Sequence, residues 1–129
     1  MKLTRSIKGV VVVGVFAALV AACGGSDSSS SYKEPTGPAV ATLKVESGNT
    51  FFRPDSLKSA PGIIAIQLTN IESGVHDLVI KGQPGFQVEV TGSGDTATSK
   101  IDLKAGKYTF YCSIPGHEAA GMKGTLTVS

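Results

Sequence analysis

The chain has 129 residues, room for one domain and an appendage, with 6% aromatics, no Trp and sixteen glycines. That composition disfavours a helical bundle and suits a small all-β protein. Its formal charge of +2 misleads, because setting aside Lys2, Arg5 and Lys8 of a leader leaves nine basic residues against ten acidic ones; with no basic stripe among interleaved aromatics, nucleic acid is excluded as a partner.

Residues 1–22 read as a targeting segment. "MKLTRSIK" is a positive start, and "GVVVVGVFAALVAA" is an uncharged apolar run of fourteen residues, short of the ~20 that a spanning helix needs. Its end, "LVAAC", resembles the lipobox of bacterial lipoprotein signal peptides. The resemblance implies cleavage before Cys23 and lipid on its thiol, with the rest of the chain exported and held at a bacterial membrane, facing the periplasm or the cell exterior. An uncleaved anchor or an ordinary signal peptide is the alternative. Residues 23–38, the lipidated Cys followed by "GGSDSSSSYKEPTGP", hold too few apolar groups to repay ordering and read as a flexible tether.

The domain occupies residues 39–129. Period-two alternation recurs along it. Ala41, Leu43 and Val45 share one face, as do Ile64, Ile66 and Leu68; His76, Leu78 and Ile80; and Phe86, Val88 and Val90. Ile101 with Leu103, then Tyr108, Phe110 and Cys112, then Met122, Gly124, Leu126 and Val128 complete the pattern. Gly-rich turns such as "ESG", "GQPG" and "TGSGD" separate the runs, and "RPDSLKS" has room for one helical turn. The expected fold is an all-β, Greek-key antiparallel β-sandwich of seven or eight strands. Tyr108, after the "AG" turn, is placed to form a tyrosine corner.

"FYCSIPGHEAAGMKGTLTV" gathers Cys112, His117 and Met122 within eleven residues, between the end of one strand and the start of the next. His76 begins its own strand on the inward face. Singly, a buried Cys or His is usually structural. Apart from Met1 and Cys23, however, these are the only Cys and Met and both of the His in the chain. One thiolate, two imidazoles and a thioether form the donor set of a His₂Cys plane with a weak axial Met, the blue-copper arrangement. A Cys23–Cys112 disulfide would consume both special cysteines and is rejected.

The stretch "YCSIPGHEAAGMKGTLTV" resembles the C-terminal copper loop of cupredoxins, with Cys-x₄-His-x₄-Met spacing, and "FRPDSLKSAPGIIAIQLTNIESGVHDLVI" resembles the segment leading to their first histidine ligand. The loop is two residues longer before the histidine than in plastocyanin-like members and closer to rusticyanin- and sulfocyanin-like ones. The resemblance implies one type 1 copper per chain, held by His76, Cys112 and His117 with Met122 axial, in a sandwich that shuttles single electrons. Many members carry Asn after the first histidine; this chain has Asp77. Its carboxylate could accept a hydrogen bond from Ser113, and its charge near the thiolate should favour Cu(II).

Ile114, Pro115, Ala119 and Ala120 surround His117 with small or apolar groups, either to pack around metal or as a docking patch for larger membrane or periplasmic redox proteins. Glu118 and the remaining charged residues read as solvated. The domain is expected to be a monomer and not an enzyme: a nitrite reductase or multicopper oxidase needs more histidines than two, and a binuclear centre needs a second loop cysteine. Copper storage or delivery is the alternative function, and reversible redox without metal loss separates the two.

Overall fold

Inward apolar side chains can leave water only if their backbone N–H and C=O groups find partners, and period-two sequences find them in sheets. The computed structural model describes residues 32–129. The leader and Cys23, with the start of the tether, lie outside the described residues. Nine strands follow one another: β1 (Ala41–Ser47), β2 (Phe52–Arg53), β3 (Ser56–Ser59), β4 (Gly62–Asn70), β5 (His76–Ile80), β6 (Gln87–Val90), β7 (Thr96–Leu103), β8 (Gly106–Tyr111) and β9 (Lys123–Val128). There is no helix among the described residues.

The strands form two sheets, ordered β2-β1-β4-β7 and β3-β9-β8-β5-β6. Their facing sides enclose Ile64, Ile66 and Leu68 of β4, Leu78 and Ile80 of β5, Phe110 of β8 and Leu126 of β9, an all-β sandwich as expected. Two details differ from expectation. Among the described residues the strands number nine, and two pairs, β1 with β4 and β3 with β9, run parallel while the others are antiparallel. "RPDSLKS" makes no helical turn. Pro54, which has no N–H to give a ladder, separates β2 from β3, and Leu57 turns inward opposite Leu126 of β9.

Local devices fix the frame. The Tyr108 hydroxyl donates to the Lys104 carbonyl at 2.8 Å, the tyrosine corner expected there. Phe110 on β8 faces Gly124 on β9, and a Cβ at Gly124 would overlap both the Phe110 ring and the Asp55 carbonyl oxygen. Only glycine fits there. The last part of the expected tether is docked: the Tyr32 hydroxyl donates to the Lys100 carbonyl at 2.5 Å and its ring meets Phe86 edge-on. Glu34 accepts from Ser99, and the Gly37 carbonyl from Lys100. A Tyr carries enough apolar area to hold a polar stretch against a sheet.

Candidate metal centre

Sheet order creates the site. β8 lies between β9 and β5, so the residue after β8 (Cys112), the residue before β9 (Met122) and the first residue of β5 (His76) meet at one end of the sandwich. The loop between Cys112 and Met122 closes on itself. Cys112 N–H donates to the Met122 carbonyl at 3.0 Å, and Met122 N–H donates to the His117 carbonyl at 3.0 Å. Gly116 and Gly121 hold φ of +86° and +106°, a left-handed backbone that favours glycine. These turns carry His117 back over the strand ends.

His76, Cys112 and His117 each offer one ligand atom, all within 4.8 Å of one another. Cys112 Sγ lies 3.4 Å from His117 Nδ1, and the two imidazole centroids are 5.1 Å apart. Cys112 and Met122 are wholly buried, His76 is 2% exposed and His117 is half-buried. Neither ring nitrogen of His76 has a hydrogen-bond partner among the described residues. A buried imidazole left with two unsatisfied nitrogens is costly. The observation fits a ring whose nitrogen serves a metal, and the thiol-imidazole donor set around it suits copper.

Burial pushes the His76 imidazole below its ordinary value, and the His117 ring lowers it further, against opposition from the Ser73 backbone and the Glu72 and Asp77 carboxylates. The Ser73 backbone makes no hydrogen bond of ordinary geometry to that ring. Burial raises the Cys112 thiol, with the backbone amides of Asp77 and Ile114 opposing and the Asp77 charge assisting. At neutral pH the metal-free site therefore holds neutral imidazole at His76 and a protonated thiol at Cys112.

Asp77 faces away from His76 on β5, yet it is fully buried. It accepts from Ser113 N–H at 2.6 Å, from the Ser113 hydroxyl, and from Gln87 Nε2 at 2.8 Å. The expected Asp77–Ser113 contact is thus present. Gln87, which sequence reasoning missed, completes it from β6, where Glu89 pairs with Asp77 and Gln87 lies diagonally across.

Around His117, Pro115, Ala119 and Ala120 are exposed and Ile114 is half-buried against the core. Val75 and Ile71, 43% and 40% exposed, add apolar surface from the β4–β5 turn. No pattern in the sequence connects them with the loop. A shallow depression lined by Asn49, Val75, His76, Ile114 and His117 brings Val75 and the loop to one surface. Glu118, read as solvated, is paired with Lys81 at 2.5 Å.

A two-layer sandwich with, among the described residues, one largely buried His-Cys-His cluster at one end defines a metal-binding protein of the cupredoxin class. The chain belongs to the plastocyanin/azurin family of copper-binding proteins, whose model matches residues 39–129. A plastocyanin from Dryopteris crassirhizoma is 34% identical over 87 residues, covering 67% of this chain and 71% of that one. Among solved structures, reduced auracyanin from Roseiflexus castenholzii superposes with a TM-score of 0.62 at 23% identity, covering 71% of this chain and 99% of that one. Auracyanin A from Chloroflexus aurantiacus gives 0.59 at 20% identity, covering 68% and 98%. At those identities the structures speak for the fold.

Proposed function

We propose that the protein is a membrane-tethered, one-electron carrier in which His76, Cys112 and His117 hold a single copper with Met122 as the weak axial donor. The observation that carries this reading is the buried cluster itself: three donors within 4.8 Å, two of them buried, with His76 unpartnered among the described residues. Copper, when bound, supplies a Cu(II)/Cu(I) couple at this thiolate-imidazole set.

The chain's residues do the rest. The closed hydrogen bonds of the loop fix Cys112, His117 and Met122 relative to one another before any metal arrives, so little protein movement accompanies a change of charge. Burial of Cys112 and His76 keeps water from the cluster. Half-buried His117 is the member with an edge toward solvent, and the apolar surface of Pro115, Ala119, Ala120 and Val75 around it suits brief docking by larger redox proteins, since weak redox encounters use small contact areas. A single enclosed site supports retention of copper over storage or delivery, and the family consists of electron carriers rather than enzymes. Lipid on Cys23 would keep the domain at a membrane, outside the cytoplasm.

The test is the visible and EPR spectrum of the Cu(II)-loaded protein. An intense thiolate-to-copper band with small copper hyperfine splitting, lost in Cys112→Ser, is expected. A pale spectrum that Cys112→Ser leaves unchanged would remove the carrier reading.

A further inference from the structure

The stretch 114–121 carries His117, and three of its backbone hydrogen bonds are internal to it. His117 N–H donates to Ile114, Ala120 N–H to Gly116, and Gly121 N–H to Glu118. Ser113 anchors the Cys112 side of the loop through Asp77. Beyond Ser113, among the described residues, two polar side-chain contacts leave this stretch: His117 Nδ1 to Cys112 Sγ at 3.4 Å, inside the metal site itself, and Lys81 Nζ to Glu118 Oε1 at 2.5 Å, which reaches the end of β5. Lys81 directly follows β5, and its own N–H donates to the Thr109 carbonyl of β8 at 2.9 Å. Its ammonium also stands 5.1 Å from the centroid of the Tyr111 ring, and Tyr111 is the residue before Cys112. One cation thus touches the chain neighbour of His117 and the chain neighbour of Cys112.

We infer that Lys81 is a positioning residue: through Glu118 it latches the His117 half of the loop to the β5–β8 frame, and the latch loosens as salt rises. The hydrogen bond it donates to Glu118 raises the Lys81 ammonium above its ordinary range, consistent with a charged donor held in place. The pair is solvent-accessible, with side chains 53% and 36% exposed, so its strength is modest and ions screen it. That exposure makes the latch sensitive to salt. A tie to a buried carboxylate such as Asp77–Ser113 is screened much less.

The inference rests on the copper reading for one of its two readouts. In the full chain loaded with Cu(II), Glu118→Gln and Lys81→Gln should lose metal to EDTA about two- to fivefold faster than wild type at low salt. Lys81→Arg, which keeps the charge and the aromatic contact, should restore wild-type rates. Wild type should converge on the two Gln variants near 1 M NaCl, where the screening length falls to about 3 Å. A merely structural role would not produce that convergence. Equal rates in all variants, or a difference unaffected by salt, would overturn the latch. Amide exchange at Gly116–Gly121 in the metal-free full chain reads it without copper: exchange should quicken in Glu118→Gln and in wild type at high salt, and unchanged exchange counts against it. A missing charge-transfer band in wild type would instead strike the copper reading and leave this second readout standing.

Discussion

The Asp77 carboxylate takes both the backbone N–H and the hydroxyl of Ser113, while Gln87 donates to one of the same oxygens. An anion is thereby sealed beside the chain that carries Cys112, on the side of β5 opposite His76. Its field opposes negative charge on the sulfur and favours the more positive metal state. Asp77→Asn keeps the shape and removes the charge. The reduction potential of the copper-loaded protein should rise on the order of tens of millivolts, with the charge-transfer band retained. Voltammetry of the two proteins checks this, and a wild-type potential above that of the variant would refute it.

Loading should release protons in a countable way. The Cys112 thiol is raised and the His76 imidazole lowered, so at pH 7 it is the thiol of this pair that has a proton to give up, and metal ligands must be deprotonated. Titration of Cu(II) into weakly buffered metal-free protein should liberate about one proton per copper. Cys112→Ser should liberate about one proton fewer.

Stability of the metal-free protein should fall on acidification. Below its ordinary value of 6.5, His76 is protonated in the unfolded chain but still neutral in the folded one. The unfolded state then binds more protons, so stability is full above that pH and declines as pH drops through it toward the lower folded value. Urea midpoints measured between pH 7.5 and 5.5 should show the decline, and His76→Gln should flatten it.

Gly124 tests the frame rather than the site. An added methyl would overlap the Phe110 ring and the Asp55 carbonyl, and overpacking of that kind costs about 1–3 kcal/mol. Urea unfolding of Gly124→Ala should show that loss. Gly92→Ala, whose methyl would meet nothing within 4 Å, should stay within about 0.5 kcal/mol of wild type.

The legible parts of the molecule were those written in local pattern. Alternation placed the inward faces of β4, β5, β8 and β9, and the rarity of Cys, His and Met singled out four residues, three of which the structure gathers into one cluster. Pairing between distant strands leaves no trace in alternation, so the parallel partners β1 with β4 and β3 with β9 were hidden. Leu57 stands alone in "RPDSLKS", and one inward residue cannot distinguish a strand from a helical turn. Gln87, between Phe86 and Val88, and Glu118, between His117 and Ala119, resemble any solvated side chain until the fold brings Asp77 and Lys81 beside them. Tyr32 was submerged in a Ser- and Pro-rich stretch whose composition argued against order.

That docking of Tyr32 bears on reach. The pivot of the domain moves from Pro38 to the edge where Phe86 and β7 meet, because Lys100 and Ser99 secure the chain up to that point. On the proposed lipid attachment, nine peptide steps separate Cys23 from Tyr32, which at full extension span about 30 Å. The carrier would then swing on a short radius about one flank, and a partner would have to present its redox centre within that arc along the membrane face.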